Sequence, residues 1–379
     1  MAIFIRGTGD PRTPLQHENS IVREYIGGTF FNTLLGKRES GKPIIVNSEK
    51  FKGKGSGDSA RYHFVPQYKG KGIRGQNASL SGNEKTIDEF YTDVRVDQVA
   101  QVFKTKGKVT NLRSIIPIRD EFKTQLVNWF RMITEFDMVA ALTGYMYDGA
   151  SFLDGYTVDD DGQIKITGTA FRTPLVNGEG RCFRPDYENG KIHAKVVAAA
   201  NTSDEALLKD IEATDVMTTA VLDELQMLAK DANTKYSMKP IRLKDGNEYY
   251  MLILHPRAAL QLRQDPRWIQ RALSNYNGLK NLESDPVATG VMGVWEKIIV
   301  KEADHISTSQ TADGSKKIAR NLLLGADASV MGYAQTLDYT EEYTDYHRIF
   351  GVAADEIRGF KKLSFNGVDL NIAQVPCAI

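Results

Sequence analysis

The sequence predicts an α+β protein built along one long helix, and three stretches carry that prediction. Residues 118–143, IRDEFKTQLVNWFRMITEFDMVAALT, repeat apolar residues at helical spacing with no Pro or Gly between them. Residues 90–103 alternate apolar and polar positions, the period of a half-buried strand. Residues 241–254 join two short apolar runs through Asp245-Gly246, a hairpin dipeptide.

In the helix, Phe122, Leu126, Trp129, Ile133, Phe136 and Ala140 fall on one face, and the first five are its predicted core. Lys123, Thr124, Asn128, Arg131 and Glu135 fall largely on the other. Pro117 precedes the first turn, Asp120 and Glu121 sit in it at the positive end of the helix dipole, and Gly144 follows as a stop. At 1.5 Å per residue the rod is roughly 39 Å long, to be read either as an ordinary long core helix or as a spine for flanking sheets.

The 379 residues suggest two or three domains, and 41% hydrophobic content supplies a sizeable core. Lysine plus arginine and aspartate plus glutamate both number 48, so the net charge is zero. That balance argues against a surface devoted to nucleic acid or anionic membrane, and it suits packing against many copies of the same chain. Cys182 and Cys377, the 2 cysteines, read as unpaired thiols in a reducing compartment and rule out an all-cysteine zinc or iron–sulfur site. The start, MAIFIRGTGDPRTP, has only a short apolar patch, so no signal peptide is expected; no apolar run has membrane-spanning length.

Residues 1–17, with Gly7, Gly9, Pro11 and Pro14, read as an irregular arm. Residues 18–35 read as a short helix broken at Gly27-Gly28, and neither piece can bury itself alone. Residues 58–66 and 90–103 read as two strands of a long ribbon whose middle is rich in Gly and Lys. After the helix, residues 145–200 read as β-rich, with hairpin signals at Asp161-Gly162 and Asn189-Gly190. Residues 204–230 read as one or two helices with Val221, Leu225 and Leu228 on one face. A strand then ends at His255-Pro256, a helix follows, and Asp265-Pro266 opens another. Strands are predicted within 294–300 and 321–324, and a closing hairpin surrounds Asn366-Gly367.

Catalytic motifs are wanting. The runs at Lys52-Gly53-Lys54 and Lys69-Gly70-Lys71 lack the spacing and the strand–helix context of a phosphate loop. Asp159-Asp160-Asp161-Gly162 resembles a calcium loop, but its twelfth position is Ala170; a charged hairpin turn is the better reading. The 6 histidines are scattered, and His255 at a strand end reads as a structural hydrogen-bonding group. No GxSxG occurs, so no catalytic, cofactor-binding or metal residue is assigned.

Charge placement says more. Residues 50–74 hold Lys50, Lys52, Lys54, Arg61, Lys69, Lys71 and Arg74 against Asp58 alone. Residues 338–358 hold Asp338, Glu341, Glu342, Asp345, Asp355 and Glu356 against Arg348 and Arg358. Either run can be an independent solvated surface, or a basic ribbon (Lys52, Lys54, Lys69, Lys71, Arg74) can meet an acidic patch (Glu341, Glu342, Asp345) on the next subunit.

Several blocks carry a family likeness. Gly82-Asn83-Glu84, Val96-Asp97-Gln98 and Ile118-Arg119-Asp120 resemble the N4 gp56-like major capsid proteins of tailed phages. Leu254-His255-Pro256, Leu262-Arg263-Gln264-Asp265 with Trp268, Gly359-Phe360-Lys361-Lys362 and Phe365-Asn366-Gly367-Val368-Asp369 are similar to later blocks of that family, in the same order. The resemblance implies an HK97-like fold: an N-terminal arm (1–49), an extended β-hairpin E-loop (50–104) and a P-domain (105–200) with the spine helix at 118–143 and a β-rich insertion at 145–200. An α/β A-domain (201–340) and a C-terminal return to the P-domain (341–379) complete it. It also implies copies assembled as pentamers and hexamers into an icosahedral virion head, formed in the host cytoplasm. Its partners would be portal and scaffolding or decoration proteins, with weak nonspecific contact to packaged double-stranded DNA and none with membrane. The alternatives are an encapsulin-like compartment shell and, in a different class, a nucleic-acid- or glycan-binding module using the basic ribbon.

Overall fold

An uninterrupted run of helix formers folds as one rod: α1 spans Ile118–Thr143, the bounds that the periodicity predicts. The computed structural model describes residues 28–36, 45–48, 59–64, 90–107, 118–143, 156–158, 164–166, 182–188, 191–197, 209–230, 237–243, 247–274, 291–306, 308–310, 316–346, 348–365 and 368–379, with Ile21, Glu24 and Leu207. Pro117 and Gly144 lie outside them. Leu126 and Phe136 are buried as predicted, whereas Phe122, Trp129 and Ile133 are half-buried and Phe130 is sealed completely. Glu135, assigned by spacing to the solvent face, is instead buried. The second half of α1 runs between two sheets, so its described side chains from Thr134 onward have no solvent face at all.

Ahead of α1 lie a 3-10 turn at Phe30–Leu34 and strands β1 (Leu35–Gly36), β2 (Ile45–Ser48), β3 (Ser59–Phe64), β4 (Phe90–Arg95) and β5 (Asp97–Lys104). After it come β6 (Tyr156–Val158), β7 (Ile164–Ile166), β8 (Phe183–Glu188) and β9 (Lys191–Val196). Helix α2 (Thr219–Lys230) leads to β10 (Ile241–Arg242), β11 (Glu248–Leu254), α3 (Pro256–Gln264) and α4 (Pro266–Ser274). The chain continues through β12 (Gly293–Trp295), β13 (Ile298–Glu302), β14 (Thr308–Gln310) and β15 (Lys317–Leu324). It ends with the long hairpin β16 (Ser329–Thr344) and β17 (Ile349–Lys362), then β18 (Ser364–Phe365), β19 (Val368–Asp369) and β20 (Ile372–Ala378).

Two sheets organise the chain. The smaller has the order β1-β2-β16-β17-β5. The first half of α1 lies on it, with Leu126 and Phe130 packed against Leu337, Tyr339, Val352 and Ala354. The larger has the order β12-β13-β11-β15-β14-β7-β6, with β10 on β11 and β20 on β15. Its central strand alternates perfectly. Met251 and Ile253 face the core shared with Met138, Val139 and Leu142 of α1, while Tyr250, Leu252 and Leu254 face α2, α3 and Trp268 of α4.

Three boundaries move from those predicted. The second ribbon strand breaks at Val96: β4 pairs with β3, but β5 joins β17 in the smaller sheet, so residues 97–104 belong to no ribbon. The described strands of 145–200 sit on the larger sheet, not with α1. Phe183 packs beside Val221 and Leu225, and β7 pairs with β14. Residues 341–379 divide, because β17 lies under α1 while β20 pairs with β15 along its length. In each case an apolar strand goes to the sheet that can bury its face, which linear order does not reveal.

Candidate functional site

Three elements border the two cores, and each is fixed by specific groups. The ribbon root is the β3–β4 pair, in register from Ser59↔Arg95 to Phe64↔Phe90. Tyr62 and Val94 bury against Val330 and Leu363, while Tyr91 on the other side is exposed. The crossing into β5 passes directly over β17. A Cβ on Gly359 would collide with the Arg95 carbonyl, so only glycine lets the backbones approach this closely. Beside it, Lys361 Nζ donates to the Asp93 carbonyl at 2.7 Å. The root is thus clamped to its own subunit, and Lys52, Lys54, Lys69, Lys71 and Arg74 lie outside the described residues.

The second element is the end of the arm. Phe31 and Leu34 are buried in the core shared by α1 and the larger sheet, so residues 30–36 and Ile45 belong to the folded subunit and not to a free arm. The Phe30 N–H donates to Glu135 Oε1 at 2.9 Å, and His305 Nε2 lies 2.8 Å from Glu135 Oε2. Burial pushes the Glu135 carboxyl up, but His305, the Phe30 N–H and Arg131 outweigh it and hold the group below the usual carboxylate range. Lys301 Nζ donates to Thr33 Oγ1 at 3.1 Å, and burial alone lowers this amine to about 8.

The third element is the far end of the β16–β17 hairpin. Arg119, in the first turn of α1, grips Glu341 with both arms, Nε to Oε1 at 2.8 Å and Nη2 to Oε2 at 2.6 Å. Tyr339 Oη donates to the same carboxylate at 2.9 Å. Glu341 is therefore a strut inside the subunit, which corrects its assignment to an acidic patch for a neighbour. Glu342 and Asp345 remain exposed. Glu356, counted in the same acidic run, is fully buried with Arg358.

That pair belongs to a charged cluster between α1 and β17. Arg358 donates to Asp137, Glu356 and the Thr134 hydroxyl, and both carboxylates and the guanidinium are 0% exposed. Burial pushes the Asp137 carboxyl up to about 7, with Arg358 opposing the shift and Glu356 adding to it. The folded chain therefore keeps a proton that the unfolded chain, with an ordinary value of 3.8, releases. This stabilisation is complete below about pH 4 and is lost as pH rises through about 7. Asp137→Asn keeps an acceptor for Arg358 and cannot ionise. Between pH 5 and 8 it is expected to lose roughly 2–3 kcal/mol less stability than the parent, read by urea unfolding of unassembled subunits.

His255 caps α3, its Nδ1 accepting the Arg257 N–H at 3.2 Å, the structural role expected of it. Cys182 and Cys377 are buried free thiols. Among the described residues no group of three His, Cys, Asp or Glu side chains converges as a metal site, and no helix is long and apolar enough to cross a membrane.

With this geometry in place, the sequence profile of the phage capsid proteins matches residues 8–376. The chain belongs to the phage capsid protein family. It is 26% identical to the major capsid protein of Pseudomonas phage KPP25 over 358 residues, covering 91% of this chain and 88% of that one. Its fold is similar to the capsid of Ralstonia phage GP4, with a TM-score of 0.65 at 18% identity over 92% of this chain and 91% of that one. The cyanophage Pam1 capsid asymmetric unit gives a TM-score of 0.65 at 19% identity, again over 92% and 91%. This capsid protein has the α+β, HK97-like fold that the sequence blocks implied. Spacing alone missed Phe130, Asp137, Arg358 and Gly359; a Gly inside a strand-like run, as at Gly359, was the one local signal.

Proposed function

We propose that this chain is the major capsid protein of a tailed phage, and that its copies close into the icosahedral head shell enclosing double-stranded DNA. The observation that carries this reading is the family match across residues 8–376, over a fold whose β16–β17 hairpin runs past the strands beside it. The role is structural: subunits are joined, not substrates converted. Within this reading α1 and the smaller sheet form the P-domain. The larger sheet with α2, α3 and α4 forms the A-domain, which also takes in the 182–197 hairpin and β20. The E-loop is then centred on β3, β4 and the residues between them. The matching blocks favour the N4 gp56-like branch of the family.

Copies meet as pentamers and hexamers, with a portal protein at one vertex and scaffolding or decoration proteins as auxiliaries. Assembly takes place in the host cytoplasm. Contact with packaged DNA is weak and nonspecific, since a chain of zero net charge neutralises few phosphates. The basic residues Lys52, Lys54, Lys69, Lys71 and Arg74 are the ribbon's contribution to a neighbouring subunit, facing exposed acids such as Glu342 and Asp345.

Negative-stain microscopy of the purified chain is expected to show closed particles with rings of five and six. A compact monomer at all concentrations overturns the shell. Lys69→Glu combined with Lys71→Glu is expected to reduce particle yield at least about tenfold while leaving the subunit's melting temperature unchanged. Particles at the parent yield would remove the ribbon's charge from the mechanism.

A further inference from the structure

The β16–β17 hairpin outruns its own sheet. β2 accompanies β16 only over residues 329–332, and β5 accompanies β17 only as far as Lys104↔Gly351. The last supports are Thr105, whose N–H donates to the Phe350 carbonyl at 2.9 Å, and Arg119, which holds Glu341. Phe350 itself stacks on Phe122 of α1 at 6.3 Å and touches Tyr343 at 5.0 Å. Past this point, among the described residues, the two strands pair only with each other, ending at Thr344↔Ile349.

At the tip the Arg348 N–H donates to the Asp345 carbonyl at 3.0 Å, and Arg348 pairs with the Asp345 carboxylate at 3.7 Å. Asp345 and Tyr346 have φ of 53° and 50°, two consecutive residues in the left-handed region. Hairpin turns put Gly, Asn or Asp there, because a bulky side chain crowds its own backbone. Tyr346 is nevertheless 96% exposed, the most exposed large hydrophobic residue described. A strained backbone and a ring left wholly in water both disfavour the lone subunit. Strain of this kind persists at positions that serve function.

We infer that Tyr346 is an intersubunit anchor: its ring enters an apolar hollow on a second copy of this chain. Beside it Asp345 is balanced by Arg348, and Glu342 favours a hollow with a basic rim. Tyrosine suits the task, since one rigid side chain brings a large apolar body and a polar tip, and such residues carry much of the binding energy at interfaces. A second copy is the partner because the capsid family builds with repeated subunits; the inference rests on the shell reading in that respect. The contact is head-to-tail, the tip of one subunit against a different surface of the next, which is the geometry that propagates around a ring.

The test compares Tyr346→Phe, Tyr346→Ser and Tyr346→Gly with the parent chain. Two quantities are read: the melting temperature of unassembled subunits, and the protein concentration at which light scattering and microscopy first show particles. Tyr346→Phe is expected to assemble within about twofold of the parent threshold, since the ring is retained. Tyr346→Ser and Tyr346→Gly are expected to raise that threshold at least about tenfold. The Ser variant should melt as the parent does, and the Gly variant higher, because the strain is relieved. Particles from Ser and Gly variants at the parent threshold overturn the anchor. A lowered melting temperature in the Ser variant also overturns it, by making the ring part of its own subunit's fold. A parent chain that forms no particles sinks the shell reading and the anchor together; a parent that does, with a threshold indifferent to Tyr346, sinks the anchor alone.

Discussion

Replacing Arg358 with methionine is expected to destabilise the unassembled subunit by about 3–5 kcal/mol, enough to leave much of it unfolded at 37 °C. The guanidinium is the cation donating to two fully buried carboxyls, one from the second half of α1 and one from its own strand. Without it, Asp137 and Glu356 face each other across a space with 0% exposure, and two buried like charges must take up protons or water. Methionine fills most of the volume, so the loss reads charge more than a cavity. The companion triple variant Asp137→Leu, Glu356→Leu, Arg358→Met removes all three charges at once. It is expected to recover at least half of that loss, because well-packed apolar groups replace buried ion networks at little cost. Urea unfolding monitored by tryptophan fluorescence distinguishes the cases. A single variant within about 1 kcal/mol of the parent would show that the cluster contributes nothing to joining helix and hairpin.

Local signals in the sequence were faithful where the interaction itself is local. The rod of α1 follows from spacing, and Asn189-Gly190 and Asp245-Gly246 both lie between antiparallel strands, Glu188↔Lys191 and Arg242↔Glu248. The His255 cap likewise involves a neighbour only two positions away. What stayed hidden depends on partners far along the chain. Glu135 looked solvent-facing because nothing nearby in sequence announces His305 or the Phe30 N–H, 105 residues upstream. Glu341 and Glu356 looked like one acidic surface, yet one is gripped by Arg119 across 222 positions and the other is sealed against Arg358. Counting charge along a strand treats both faces as solvent, although alternate residues point in opposite directions. The break at Val96 was invisible for a related reason. β4 and β5 share the same period, and a strand that changes sheets keeps its alternation. The basic residues of the ribbon lie outside the described residues, and the charge-reversal experiment tests their role.

Helical spacing and three-dimensional burial make opposite predictions at two adjacent positions, which gives a second large effect. Phe130→Ala is expected to cost about 3–5 kcal/mol, and Trp129→Ala only about 1–2 kcal/mol. Regular steps of four and three put Trp129 at the centre of the apolar face and passed over Phe130. The supporting sheet is twisted, however, and α1 meets it with a wider stripe than a single row. Phe130 packs among Leu126, Leu337, Tyr339 and Val352 with no exposed area, while Trp129 stands edge-on to it at 5.0 Å with its outer side partly in water. Truncating Phe130 opens a cavity walled by the hairpin on one side and the rod on the other, and neither can collapse without bending. Removing the indole takes away surface that is already half hydrated, and solvent can fill the space. Melting temperatures of the two unassembled variants should therefore fall in the order Trp129→Ala above Phe130→Ala. The reverse order would mean that α1 is rotated on its sheet by about 100°, the step between successive helical residues, and the contacts of Arg119 and Asp137 would have to move with it.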